Sequence, residues 1–190
     1  MPGRRLSLTL GLLLLLSGCQ LGYRAADGYV SLAQGYYQLS DSWSGRPQQL
    51  LQQVSWRSGN SQHVFLMTVL LNSDGYLVIA LSPLGHELWR LHYGPGHRLS
   101  LSGIEPFNQP MFARRLLAEM QLSLLDASAI QDRLYRLSLQ QHDEKRRLRS
   151  AENQPLLTIT GAGKLATGQT VTIDADSYQL QIRTLQQDFL

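Results

Sequence analysis

The chain has 190 residues, of which 43% are hydrophobic, and its 17 basic and 14 acidic side chains leave a formal charge of +3. This length favours one domain with a sizeable core. Without Arg4 and Arg5 the charge falls to +1, so the composition gives no broad basic field for nucleic acid. The single cysteine excludes an intramolecular disulfide.

The N-terminal segment has the layout of a secretory signal spanning residues 1–18. Two arginines precede the apolar run Leu12–Leu16, and the small residues Ser17 and Gly18 follow it. A transmembrane helix is the alternative, but crossing about 30 Å of hydrocarbon needs ~20 apolar residues. The run is too short for that, so we expect a signal that is removed.

The end of this segment, Leu16-Ser17-Gly18-Cys19, resembles the signal of bacterial lipoproteins. The resemblance implies that Cys19 is acylated and becomes the first residue of the mature chain. Gln20, in place of aspartate, implies sorting to the outer membrane, on its periplasmic face. A plain secretory signal with a chance cysteine is the alternative. We expect residues 19–35 to be an acylated tether and residues 36–190 to be one domain.

The first half of the domain is predicted to be an antiparallel meander. Its segments either alternate between apolar and polar residues or are continuously apolar. Turn sequences separate them, and Asn72-Ser73-Asp74-Gly75 is the strongest turn signal. Ser82-Pro83-Leu84-Gly85 is a further connection. The predicted strands are Gln48–Trp56, His63–Leu71, Tyr76–Leu81, His86–Tyr93 and Arg98–Ser102.

Strands 64–71 and 76–81 are apolar on both faces, which predicts that both faces are covered. A helix over Met111–Leu125, with Pro110 in its first turn and Asn108 as its cap, supplies an apolar stripe. One interpretation is a helix packed on the sheet. The other is a curved sheet around an apolar cavity that helices close.

A second short helix and further strands follow in the predicted order. Asp126 or Ser128 is expected to cap a helix over Ile130–Leu134. The charged run 143–149 is interpreted as a solvated hairpin, with contact to anionic headgroups as the alternative. The predicted strands are Leu134–Leu139, Leu156–Thr160, Val171–Ile173 and Tyr178–Leu185.

The sequence carries no pattern that favours catalysis. His86 and His92 are ~20 Å apart on one predicted strand, too far for a shared metal. There is no G-x-S-x-G elbow, and Gly161-Ala162-Gly163 is not followed by the lysine–serine or lysine–threonine pair that a phosphate loop needs. We therefore expect no enzyme activity, no metal and no cofactor beyond the covalent lipid on Cys19.

The segment Leu81-Ser82-Pro83-Leu84-Gly85 and the next strand resemble LolB, the outer-membrane receptor for lipoproteins. The mature chain is also similar to a family of Gram-negative lipoproteins with a LolB-like fold, often encoded beside aryl-polyene pigment genes. The residues that carry this likeness are Ser82–Gly85, the helix end Met120–Leu125, the arginines around Arg147, and Tyr178–Leu185.

This resemblance implies an α+β fold in which an incomplete antiparallel barrel and a helical lid enclose an apolar cavity. It implies that Pro83, Leu84 and Gly85 form a loop that inserts into the membrane, although Leu84 can also be an ordinary exposed turn leucine. The candidates for lining the cavity are Phe65, Met67, Val69, Val78, Leu116 and Met120.

Three functional hypotheses follow. The first is a carrier or acceptor that binds an amphiphile, either lipoprotein acyl chains or an aryl-polyene lipid, and helps to insert it into the outer membrane. Its partners would be membrane lipid, a hydrophobic ligand and a LolA-like periplasmic carrier, with no nucleic acid. The second is an accessory lipoprotein that binds an envelope protein. A membrane-tethered enzyme is the third.

Overall fold

The structure is a computed structural model that describes residues 28–105 and 107–190. Its helices are α1 (Pro110–Leu124) and α2 (Ala127–Gln131). In those two ranges, no helix has the length and apolar character to cross a bilayer. The strands are β1 Tyr29–Leu32, β2 Gly35–Gln38, β3 Gln48–Ser58, β4 Ser61–Asn72, β5 Gly75–Leu81, β6 Glu87–Gly94, β7 Arg98–Gly103, β8 Leu134–Tyr135, β9 Leu137–His142, β10 Lys145–Ser150, β11 Pro155–Thr160, β12 Thr170–Ala175 and β13 Gln179–Phe189.

Ten strands form one antiparallel sheet in the order β7-β6-β5-β4-β3-β13-β12-β11-β10-β9. Within the described residues the edge strands β7 and β9 do not pair, so the curved sheet stays open. The pairing of β13 with β3 joins the two meanders, and the other neighbours are consecutive in the chain. The expected α+β class with an incomplete antiparallel barrel is confirmed.

The hairpin between β4 and β5 depends on Gly75. Its φ of 111° lies in the region that favours glycine, and a Cβ there would stand 2.1 Å from the carbonyl oxygen of Tyr93. Asn72 supports the same turn, because its Oδ1 accepts a hydrogen bond from the backbone N–H of Asp74 at 2.9 Å. The turn signal in the sequence therefore predicts the hairpin correctly.

One face of the large sheet is buried beneath α1. Alternate residues of β3 to β6 point to this inner face, as the period of two requires, and they are almost inaccessible to solvent. They include Leu50, Val54, Met67, Val69, Leu71, Tyr76, Val78, Ala80, Trp89, Leu91 and Tyr93.

The helix α1 begins one residue before the predicted bound and has Gln109, rather than Asn108, at its N-cap position. Pro110 does lie in its first turn. Polar residues of α1 are buried as well as apolar ones. The Gln121 side chain accepts hydrogen bonds from the Tyr37 hydroxyl at 3.1 Å and from the Ser40 backbone N–H at 2.8 Å. The helix is therefore enclosed on both sides.

The side of α1 that faces away from the large sheet is covered partly by a small sheet of β1, β2 and β8. Strand β1 lies inside the predicted tether, so the boundary at residue 35 is wrong: Val30 and Leu32 belong to the core. The predicted strand Leu134–Leu139 is divided into β8 and β9, because Arg136 has a φ of 55°. The short helix α2 ends before Leu134 and has Asp126 at its N-cap position.

The outer face of β4 and β5 contradicts the expectation that both faces are covered. Leu66, Leu70, Leu77, Ile79 and Leu81 point away from α1 and remain partly exposed. They are not among the residues that pack against the core cluster. No element in residues 28–105 or 107–190 covers this face, so aliphatic side chains on it contact mainly one another.

Candidate functional site

An apolar cavity of about 270 Å³ lies between α1 and the inner face of the large sheet. Its floor comes from β3, β4, β6 and β13, and its roof comes from α1 and the loop before it. It opens to solvent, and apolar side chains form nearly all of its wall. The lining residues are Val54, Trp56, Phe65, Met67, Trp89, Phe107, Phe112, Arg115, Leu116, Glu119, Tyr178, Leu180 and Ile182.

Aromatic rings build the roof on the side of the helix start. Phe112 packs edge-on against Trp89, with ring centroids 6.4 Å apart, and edge-on against Phe107 at 5.4 Å. Such edge-to-face pairs are worth ~0.5–1.5 kcal/mol beyond their burial. These contacts fix the first turn of α1 over the cavity while leaving the space beneath it open.

The only ionisable groups in the cavity wall are Arg115, Glu119 and Tyr178, and they are bonded to one another. Arg115 Nε donates to Glu119 Oε1 at 2.5 Å, and the Tyr178 hydroxyl donates to the same oxygen. The Glu119 side chain is 5% exposed, whereas that of Arg115 is 40% exposed. We name this group the polar triad. It links α1 to the start of β13.

Burial, and then the Glu119 charge, raises the pKa of the Tyr178 hydroxyl well above its ordinary value. Desolvation is the largest single influence on the pKa of Arg115 and acts to lower it, but the hydrogen bond to Glu119, the Glu119 charge and Tyr178 together outweigh it, so that pKa is raised. Both shifts keep Tyr178 neutral and Arg115 charged near neutral pH. The triad thus presents a compensated ion pair, and no unbalanced charge faces the apolar cavity.

The cavity candidates from the sequence fall into three groups. Phe65, Met67 and Leu116 line the cavity, and Met120 lines a narrow extension of about 30 Å³ that shares Met67 and Leu116. Val69 and Val78 are fully buried on the same inner face and line neither space. They lie further along β4 and β5, where the packed core leaves no gap.

Apart from Phe65, sequence reasoning missed the aromatic residues of the wall, which are Trp56, Trp89, Phe107, Phe112 and Tyr178. A signal for two of them was present. Trp56 lies on the same period-two face as Val54, and Trp89 lies on the same face as Leu91. Val54 and Leu91 are both buried. Tyr178 gave no such signal, since it stands before β13 and meets Glu119 only through the fold.

The turn after β5 holds Leu84 away from the domain, with 85% of its surface exposed. Ser82 closes this turn: its carbonyl accepts from the Gly85 N–H at 2.9 Å and its Oγ accepts from the His86 N–H at 3.1 Å. Gly85 has a φ of 84°, which suits glycine. The predicted exposed turn is therefore present, and Leu84 packs into no core.

Leu84 and the cavity opening lie at the same end of the sheet. The register pairs Leu81 with Leu66 and Gln179 with Arg57, which places the turns 59–60, 82–86 and 176–178 side by side. We name this the mouth end, because Trp56 and Tyr178 of the cavity wall stand beside it. The turns 73–74 and 95–97 lie at the far end.

Two further exposed apolar side chains follow β7 at the mouth end. The backbone N–H of Ile104 donates to the carbonyl of Leu88 at 3.0 Å, which places Ile104 beside the start of β6. Met111 precedes Phe112 of the cavity roof and is 82% exposed. With Leu84, these residues give the mouth end an apolar character that a folded domain does not need.

The other predicted sites are less informative. Cys19 and Gln20 lie outside the described residues. Lys145 and Arg147 are exposed in the β9–β10 hairpin, but Arg146 is buried and donates to the Leu122 carbonyl at 2.7 Å, so the charged run is not wholly solvated. Across residues 28–105 and 107–190, no three His, Cys, Asp or Glu side chains cluster as metal ligands would.

Comparisons with known proteins complete the description. The model of the family described as Protein of unknown function (DUF3261) matches residues 49–186. A search of curated proteins gives no match. The chain is similar to a crystal structure described as an outer membrane lipoprotein-sorting protein domain from Vibrio parahaemolyticus. That likeness has 10% identity and a TM-score of 0.43 over 77% of this chain and 87% of the other, which supports no conclusion about function.

Proposed function

The chain belongs to the DUF3261 family, and we propose that it is a lipid-anchored lipoprotein on the periplasmic face of the outer membrane. In this proposal it binds the apolar tail of an amphiphile and helps to place that amphiphile in the membrane. It acts as a binding protein, not as an enzyme. Acylated Cys19 is the anchor, and the ligand is a lipoprotein acyl chain or an aryl-polyene lipid.

The observation that carries the proposal is an open apolar cavity at the same end of the sheet as the exposed Leu84 turn. A tail in the cavity would be removed from water with a gain of ~25 cal/mol per Å² of apolar surface. The polar triad does not oppose this, because its charges are compensated. Leu84, entering the bilayer, would bring the opening close to the lipid.

The size of the cavity limits what it holds without rearrangement. A dry cavity of about 150 Å³ accommodates benzene, and pockets for drug-sized ligands measure roughly 300–1,000 Å³. The cavity of about 270 Å³ therefore accepts part of one chain. A complete acyl chain requires α1 to move away from the sheet, which is the role proposed for it as a lid.

The test is mass spectrometry of lipids that co-purify with the mature chain carrying Cys19→Ala. We expect an amphiphile with at least one long apolar tail. Leu116→Trp, which fills the cavity, should abolish its retention, whereas Leu185→Trp, on an exposed residue beyond the far end of β12, should not. Equal lipid content in the two variants would contradict binding in this cavity.

An accessory role, binding an envelope protein, is the second candidate. It is favoured by the dense packing of α1, in which Ala113, Leu117 and Leu122 are fully buried. Absence of any bound lipid in the wild-type protein, together with capture of a defined envelope protein, would support this role over the first.

A further inference from the structure

The outer face of β4 and β5 carries an aliphatic strip that the proposed tail-binding function does not use. It consists of Val64, Leu66, Leu70, Leu77, Ile79 and Leu81, and we name it the outer stripe. The register places Leu66 opposite Leu81 and Leu70 opposite Leu77, with Thr68 opposite Ile79 between them, so the side chains form one surface in which Thr68 is the polar member. All six point away from the core and none packs against it.

Polar side chains border most of the stripe, and Leu51 of β3, opposite Thr68, is the aliphatic residue on that border. On one side, Leu77 and Ile79 stand opposite His92 and Arg90 of β6. On the other side, Val64 and Leu66 stand opposite Ser55 and Gln53 of β3. Beyond β3, β13 presents exposed Gln181 and Arg183 towards the mouth end, and Leu185 is the exposed aliphatic residue of this strand. A contiguous apolar patch with a polar rim is typical of an interaction surface.

The stripe runs the length of β5 and leads into the Leu84 turn. Leu77 lies near the far end of β5, and Leu81 is its last residue, directly before the turn that exposes Leu84. The stripe and Leu84 are thus one continuous apolar surface, extending along the side of the sheet and around the edge of the mouth end.

The position of the N-terminal chain decides what can cover this surface. Gly28 lies at the far end, where a Cβ would stand 2.5 Å from His97 Nδ1 and 2.6 Å from the Tyr93 hydroxyl. Cys19 precedes Gly28 by nine residues, which reach ~30 Å when fully extended. The strand β6 alone separates Tyr93 from Glu87 by ~20 Å, and Leu84 lies further out.

The length of the tether disfavours a domain whose strands stand perpendicular to the membrane. If the far end faced the membrane, Leu84 would be held away from the bilayer by the length of the sheet. If the mouth end faced it, a tether of ~30 Å would be stretched to its limit. A domain that lies on its side brings Leu84 to the surface, and a tether of ~30 Å still reaches the membrane from Gly28, which lies on the inner side of the sheet beside the Tyr93 hydroxyl.

We propose that the outer stripe is a membrane-contact surface and that the anchored domain lies with β4 and β5 against the lipid bilayer. The proposal rests on the proposed function for the anchor at Cys19 and for Leu84. It assigns the aliphatic outer face to the acyl region just below the headgroups, and the bordering Arg90 and His92 to the headgroup layer. The cavity opening then faces along the membrane at the lipid surface.

The test uses a label whose signal does not depend on ligand transfer. Once Cys19 is acylated, a cysteine introduced at Ile79 or at Thr172 is the only free thiol and takes an environment-sensitive fluorophore. Thr172 is the matched control, because it is similarly exposed on the outer face, in β12. The lipidated protein is placed in vesicles of phosphatidylethanolamine and phosphatidylglycerol with brominated acyl chains.

We expect brominated lipid to quench the label at position 79 severalfold more than the label at position 172. The double change Leu77→Lys and Ile79→Lys should weaken vesicle binding of the unlipidated Cys19→Ala form on the order of tenfold or more, and Thr172→Lys should not. Circular dichroism checks that the variants remain folded.

Equal quenching at the two positions would overturn the membrane-contact proposal, as would crosslinking of position 79 to a second copy or to a protein partner. The proposed function fails separately. If position 79 is quenched but no lipid is retained in the cavity, the membrane-contact proposal is supported and the tail-binding proposal is wrong. If lipid is retained and delivered without quenching at position 79, the tail-binding proposal is supported and the membrane-contact proposal is wrong.

Discussion

Leu84 is held away from the sheet by a turn whose hydrogen bonds all belong to Ser82 and its neighbours. Because the side chain makes no core contact, we expect Leu84→Glu to leave the free energy of unfolding nearly unchanged. A leucine that enters an apolar phase gains ~1.5–3 kcal/mol, so delivery of the amphiphile to vesicles should slow by roughly tenfold or more. A fluorescent lipid transfer assay measures this.

Leu185→Glu is the matched control, since Leu185 is an exposed leucine within β13 and outside the turns of the mouth end. It should retain both stability and delivery. If Leu84→Glu unfolds the protein, the turn is part of the core. If it delivers lipid as well as the wild type, the membrane-inserting role of Pro83, Leu84 and Gly85 is wrong.

Glu119 is the second residue with a specific consequence. Glu119→Ala removes the acceptor shared by Arg115 and Tyr178, which leaves two donors unpaired at the cavity wall. We expect a loss of about 1–3 kcal/mol in the free energy of unfolding, below the cost of breaking a fully buried pair because water reaches Arg115. Urea denaturation measures the loss.

Glu87→Ala, which breaks the exposed pair with Arg90, is the control for Glu119 and should have little effect on stability. Glu119→Gln should lie between the wild type and Glu119→Ala, because the amide oxygen still accepts from Tyr178. An equal loss in the glutamine and alanine variants would mean that the charge of Glu119, not its hydrogen bond to Tyr178, dominates at this position.

Among the elements, the β4–β5 hairpin depends most clearly on one position. We expect Gly75→Ala to destabilise the protein by about 1–3 kcal/mol, because the new Cβ would meet the Tyr93 carbonyl and the positive φ disfavours it. Gly59→Ala is the control: its φ is also positive, but nothing lies within 4 Å of its Cβ. If the two variants lose the same stability in thermal denaturation, the positive φ, and not the contact with the Tyr93 carbonyl, accounts for the destabilisation.

The N-terminal segment is an element that the sequence alone defines. We expect Cys19→Ala to prevent acylation but to leave the domain folded, since Cys19 precedes the strand β1 (Tyr29–Leu32) by ten residues. Metabolic labelling with a fatty acid and gel mobility measure this. Gln20→Asp should redirect the protein to the inner membrane. Continued labelling of the first variant, or unchanged fractionation of the second, would contradict the anchor or the sorting rule.

At the scale of the whole molecule, buried tyrosines set the behaviour in alkali. Burial, as the largest cause, raises the pKa of Tyr76 to about 12 and raises those of Tyr37, Tyr93 and Tyr178 as well. An unfolded tyrosine ionises near pH ~10, so above that pH the unfolded state loses protons that the folded state keeps. Stability is therefore full below about pH 10 and falls as the pH rises further.

Denaturation midpoints measured on both sides of about pH 10 should show this fall, and tyrosinate absorbance should rise together with the loss of circular dichroism. Tyr76→Phe should make the fall shallower, because one ionisable group has been removed from the core. Tyrosinate absorbance that rises fully while the protein stays folded would contradict burial of these hydroxyls.

The strands of both meanders could be predicted from the sequence because their signals are local. Alternating side chains and turn residues such as Gly75 act over a few residues, so the bounds of β3 to β7 agree within a few positions. The small sheet was missed even though Val30 and Leu32 alternate with polar neighbours. Four-residue strands carry too little pattern to be recognised without their partners.

The sequence by itself determined the period-two faces, the hairpins, the helix α1 and the exposure of Leu84, because the pleat and the turn chemistry of adjacent residues specify them. Only the tertiary structure decided which face turns inward, that Glu119 meets Tyr178, and that the Leu84 turn lies beside the cavity opening. These depend on contacts between residues far apart in the chain, such as the pairing of β13 with β3. The face turned inward is the one that α1 covers, and the aliphatic outer stripe is what that packing leaves outside.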